Sequence, residues 1–120
     1  KQRRAWLHWN EDDVMRVMRE SLFGGSAAPR MIDLPTSFRN YHYDRVLDGN
    51  GNPVGISTYV AYTVNIQAMV SLAMVDEDAA VDGAEVTVVW GQEDGGASNP
   101  YMLPHVQTRV RARVSTKPPI

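Results

Sequence analysis

The chain has no cysteine among its 120 residues. That excludes disulfides, thiolate catalysis and cysteine-ligated zinc together, and it fits a reducing compartment such as the cytoplasm. No charge of one sign dominates: 12 basic and 14 acidic side chains leave a formal net charge of -2. Nucleic acid is therefore not expected as a partner, because a phosphate backbone is met by a strongly basic face. No secretory leader is legible, since the basic opening KQRRAWLHWN has no apolar segment after it. No run is apolar enough to suggest a bilayer span. The nearest, residues 54–75 (VGISTYVAYTVNIQAMVSLAMV), carries no charge, but Ser57, Thr58, Thr63, Asn65, Gln67 and Ser71 interrupt it. Asn65 and Gln67 would each place an amide in hydrocarbon at a cost of a few kcal/mol. No membrane is expected as a partner.

What is present reads as one domain over residues 1–120, with 43% apolar and 22% charged residues and enough chain to bury a core. In residues 54–75, Val, Ile, Thr and Tyr dominate the first half and favour pleated sheet. A regular strand there places Ile56, Thr58, Val60, Tyr62 and Val64 on one face and Ser57, Tyr59, Ala61 and Thr63 on the other. Asn65 suits a turn. AMVSLAMV after it reads as a second strand in preference to a short helix.

RRAWLHW alternates, with Ala5, Leu7 and Trp9 sharing a face. NEDDVMRVMRESLF is the one clear helix: Asn10 caps it, three acids fill its first turn, and Gly24-Gly25 stop it. Val14, Val17, Met18 and Phe23 form its apolar stripe. DGNGNPVG predicts a hairpin turn from DRVL into the next strand. AEVTVVW and HVQTRVRARVS complete the set, the latter with Val106, Thr108, Val110, Ala112 and Val114 on one face and Arg109, Arg111 and Arg113 on the other. Around six short strands and one N-terminal helix predict a mainly β protein, a small antiparallel barrel or sandwich.

The chemical signals are sparse. His8, His42 and His105 are not spaced as metal ligands, and no metal site is expected. Ser57, Thr58 and Ser71 are nucleophile candidates without a motif that couples them to a base. Gly49, Gly51 and Gly55 are spaced for a hairpin, not for phosphates. The arginine stripe of the last strand could hold an anion, but the plainer reading is a solvated face balanced by an acid such as Glu85. Asp76, Glu77 and Asp78 read as a solvated acidic turn. On a regular strand only one of Tyr59 and Tyr62 points inward, which leaves the other for an interface. Residue by residue, the chain reads as a barrel with no self-contained active site.

Several separated segments, in order, resemble a known family: Gly55, Ser57-Thr58, the turn near Asn65, MVSLAMVD, EVTVVWG and PHVQTRVRARV. Over about residues 9–119 the chain is similar to the C-terminal barrel domain of the aminomethyltransferase family, which includes the T-protein of the glycine cleavage system. Within it, the chain most resembles the tetrahydrofolate-dependent vanillate and syringate O-demethylases. It departs from that pattern at Ile66-Gln67 and at Leu103, which leaves the substrate open. The resemblance implies that an upstream domain of a longer chain binds tetrahydrofolate and does the chemistry, so no catalytic residue is carried over. It implies that the barrel packs against that domain, with Tyr59, Tyr62 and Asn65 as candidates for the wall of the folate site. A first residue of Lys1 rather than Met also suggests an excised piece. The alternative is a free-standing binding or scaffolding barrel without one-carbon chemistry.

Overall fold

The computed structural model describes residues 1–32, 43–97 and 104–118. His42, Pro35 and Leu103 lie outside these. The described strands are β1 (Gln2–Trp9), β2 (Asp44–Leu47), β3 (Pro53–Thr63), β4 (Ala68–Asp76), β5 (Glu85–Trp90) and β6 (Thr108–Ser115), with one α-helix, α1 (Glu11–Phe23), after β1. They close into an antiparallel barrel in the order β1-β4-β3-β2-β5-β6. β1 completes the circle because it pairs with β4 on one side and β6 on the other. Closure leaves no free sheet edge to template aggregation. Among the described residues no helix is long and apolar enough to cross a membrane.

The alternation survives intact in β1 and β6, and in β5 as far as Val89, which is buried although it lies between two inward residues. Ala5, Leu7 and Trp9 point inward, as do Val86, Val88 and Trp90, and Val110, Ala112 and Val114. They fill the interior with Val46, Val75 and Met69, so the barrel holds a packed core rather than a ligand channel. Each such Val, Leu or Met side chain contributes about 1.5–3 kcal/mol by leaving water.

α1 begins where the sequence places it. The Asn10 side chain accepts a hydrogen bond from the Asp13 amide at 3.0 Å, and Val14 and Val17 join the barrel core. Asn10→Ala should lower the unfolding free energy by about 1 kcal/mol in urea titration, the ordinary value of a lost cap. The predicted stripe stops early, however. Met18 is half-buried, but Phe23 is 82% exposed, because the helix runs past the edge of the barrel before Gly24 ends it. Val106 is likewise exposed, as β6 starts only at Thr108.

β3 departs from regular alternation. The β3–β4 register shifts between Thr58 and Ala61, where Tyr59 adopts a left-handed backbone (φ 52°). This bulge adds a residue and shifts the phase, so that Ser57 and Val60 both end inside. The prediction that one of the two tyrosines enters the core is therefore wrong: Tyr59 is 42% and Tyr62 51% exposed.

Candidate functional site

Two of the three nucleophile candidates are consumed by the core. Ser57 and Ser71 are buried; the Ser57 hydroxyl donates to Ser71 Oγ at 2.7 Å, and the Trp9 indole N–H donates to the same oxygen at 3.1 Å. Among the described residues no imidazole or carboxylate is bonded to either hydroxyl, so neither is poised to attack anything. Thr58 lies on the outer face, opposite Leu72.

From Trp9 the buried polar chain continues through aromatic contacts. Trp9 meets Trp90 edge-on at 5.3 Å between centroids. The Arg30 guanidinium lies 3.7 Å over the Trp90 ring, and the Trp90 indole N–H donates to the Arg30 carbonyl at 2.6 Å. Arg30 Nη2 also pairs with Asp44 Oδ2 at 2.8 Å, both side chains buried. The other Asp44 oxygen accepts the Gly91 amide at 3.1 Å. Burial pushes the Asp44 carboxyl above the usual carboxylate range, and Arg30 pulls it partly back. The group pins the start of β2 to the end of β5. Sequence reasoning missed it because Arg30 lies in a stretch with no periodicity.

The described histidines, His8 and His105, are structural or peripheral. His105 Nε2 accepts the Gln92 amide at 2.7 Å and the His105 amide donates to Gly95, which ties down the loop after β5. His8 sits on the outside of β1, opposite Val70 and Arg113. Among the described residues no three His, Asp or Glu side chains converge as a metal site. Asp48 accepts the amides of Asn50 and Asn52, and Asp82 accepts the Thr116 amide and hydroxyl; these bonds hold both carboxyls below their usual range.

The arginine stripe divides. Arg111 donates through Nε and Nη2 to the two Asp13 oxygens at 2.9 and 3.0 Å, and its amide donates to Oδ2 at 2.8 Å. These bonds hold Asp13 below the usual carboxylate range. Arg113 donates to the Gly83 carbonyl at 2.9 Å. Glu85 faces Arg113 in the strand register, as the plainer reading required, but the acid that engages Arg111 comes from the helix.

Among the described residues an opening has the size of a ligand or docking site. A cleft of about 810 Å³ lies between α1 and the β3–β4 hairpin. Trp9, Glu11, Val14, Met15 and Met18 form one wall, and Tyr62, Gln67, Ala68 and Met69 the other. It is mostly apolar, with a carboxylate and an amide at its margins, the composition of small-molecule and side-chain pockets. Gln67 takes a left-handed backbone (φ 51°) where the hairpin turns back. Of the three wall candidates, Tyr62 lines the cleft; Asn65 is in the hairpin turn and Tyr59 at the bulge, and neither lines it. Of the helix methionines in the cleft, Met18 was legible only as part of the apolar stripe and Met15 was not singled out by the sequence.

Fold and site together define a closed antiparallel β-barrel with a filled interior and a lateral apolar cleft. Comparison with known proteins narrows this. The chain is 39% identical over 113 residues, 93% of its length, to a syringate O-demethylase of a Sphingobium species, of which the match spans 24%. It is 34% identical over 96 residues, 72% of its length, to a sesamin methylene transferase of a Sinomonas species, of which the match spans 21%. The chain thus spans less than a quarter of the length of these relatives. No family model matches it.

Proposed function

We propose that this chain is the C-terminal barrel domain of a tetrahydrofolate-dependent one-carbon transferase, an aryl methyl ether O-demethylase or an aminomethyltransferase. It packs against an upstream folate-binding domain, closes one wall of that site, and does not catalyse alone. The observation that carries this reading is the 39% identity over 93% of the chain, confined to 24% of a much longer O-demethylase. The filled core supports it from the other side. In an aryl methyl ether O-demethylase the chemistry is acid-assisted transfer of a methyl group to folate, with a proton going to the leaving phenolate oxygen. The barrel's part is to exclude water and position neighbours, through Tyr62 in the cleft and Tyr59 and Asn65 along the same hairpin.

Calorimetric titration of tetrahydrofolate into the 120-residue chain should show at most weak binding; tight binding would place the site within the barrel and overturn the reading. The longer polypeptide should form methyltetrahydrofolate from syringate or vanillate, or methylenetetrahydrofolate with release of ammonia from a glycine-derived aminomethyl donor. In that polypeptide Tyr62→Ala should lower turnover about tenfold or more, since a misplaced wall of a reacting site costs on that order. The same change should leave the stability of the 120-residue chain within about 0.5 kcal/mol, because the side chain is half out in water.

A further inference from the structure

The strand register places six outward side chains in one row that winds around the barrel: Arg4 on β1, Met74 on β4, Ile56 on β3, Arg45 on β2, Val89 on β5 and Arg109 on β6. Three arginines thus alternate with three apolar residues, of which Val89 is buried and Ile56 and Met74 reach solvent. Arg16, Arg30, Arg111 and Arg113 are each spent on a partner. Arg4, Arg45 and Arg109 have no side-chain partner among the described residues, and all three are exposed. Ile56 and Met74, paired between Arg4 and Arg45, are each 37% exposed. The next row outward, Trp6, Leu72 and Thr58, is half-buried and extends the apolar strip.

Three strand spacings separate Arg4 from Arg45, about 14 Å. An apolar centre with Met and Trp, rimmed by arginine and with the exposed Asp76 at one end of β4, has the make-up of a protein interface rather than of a solvated surface. Solvated strands mix both signs of charge; this row has one sign only.

The geometry points to the outer face of β1, β4, β3 and β2 as the seat of a second protein domain, one that presents an aliphatic centre flanked by carboxylates about 14 Å apart. This rests on the proposed function, which supplies the occupant: the folate-binding part of the same longer polypeptide. The relatives hold about three-quarters of their length outside the matched region, ample to cover this face. The seat lies outside the α1–hairpin cleft, so the domain would be held at one place and would present its reacting site at another.

Hydroxyl-radical footprinting tests this, because methionine and tryptophan oxidise according to their exposure. The 120-residue chain, a closed barrel with its own core, is compared with the longer polypeptide. Oxidation of Met74 and Trp6 should be about fivefold slower in the longer polypeptide. Arg4→Glu with Arg45→Glu should restore the fast rate, whereas Arg19→Glu on α1 should not. Equal rates in the two unaltered proteins would overturn the proposal, as would protection that survives both charge reversals or fades on dilution, the sign of a second copy. If the longer polypeptide turns over substrate while Met74 oxidises freely, the seat alone fails. If it is protected but inactive on every donor, the functional reading fails and the seat stands.

Discussion

Asp44→Ala is expected to lower the unfolding free energy by about 3–5 kcal/mol, the usual cost of removing one partner of a buried ion pair. This is a large part of the roughly 5–15 kcal/mol that holds a domain together, so the variant should unfold far earlier in urea. The reason is not that the pair is strongly favourable. Arg30 is only 8% exposed at its side chain, and without the carboxylate its charge stays buried beneath Trp90. The Gly91 amide loses its acceptor as well. The double change Arg30→Met with Asp44→Leu should recover much of the loss, since two apolar groups of similar size leave no charge behind. A double variant no more stable than Asp44→Ala would mean that the hydrogen bond to Gly91 and the stacking on Trp90, not the buried charge, dominate.

The same residue shapes the response to acid. The Asp44 pKa is raised in the folded protein, so its contribution is fully present below the unfolded value of 3.8 and is lost as pH rises through the folded value. Asp13, Asp48 and Asp82 have lowered values, so their contributions are present above 3.8 and are lost as pH falls through the folded values. Asp44 therefore opposes the acid destabilisation that the other three cause. In Asp44→Asn the urea midpoint should fall more steeply between about pH 5 and pH 2 than in the unaltered chain. An equal or shallower fall would assign the wrong sign to Asp44.

Gly55→Ala is the second change with a large expected effect. A Cβ at Gly55 would lie 2.1 Å from the Met74 carbonyl oxygen and 2.8 Å from Val75 Cα, both backbone atoms that cannot swing away. Overpacking of flexible side chains costs about 1–3 kcal/mol, and a backbone clash belongs at or beyond the top of that range. β3 and β4 would have to separate, and barrel closure runs through that pair. Gly49→Ala is the control: nothing lies within 4 Å of its added Cβ and its backbone is not left-handed. It should shift stability by less than about 0.5 kcal/mol. Equal effects of the two changes in thermal or urea unfolding would show that β3 and β4 can part cheaply at this point.

Gly55 also shows where sequence reasoning stops. Its spacing from Gly49 and Gly51 reads as hairpin chemistry, and that holds for Gly51, which takes the left-handed turn position at φ 83°. Gly55 lies two residues inside β3, and its smallness serves the close approach of β4, a neighbour invisible in the local pattern. The arginine stripe is similar. Alternation placed Arg109, Arg111 and Arg113 on one outer face, but only the position of α1 separates Arg111, bound to Asp13, from Arg109, which has no side-chain partner among the described residues.

Local sequence was sufficient for the strands, the capped helix, the two hairpins around β3 and the mainly β class. Each rests on which way successive side chains point along a single segment, and a period of two or of 3.6 records that directly. Tertiary structure alone decided the bulge at Tyr59, the exposure of both tyrosines, the Arg30–Asp44–Trp90 cluster and the winding row of arginines. These depend on register and closure between residues that lie 11 to 70 positions apart. Periodicity says that a side chain faces inward or outward; only the pairing of the strands says what it meets there.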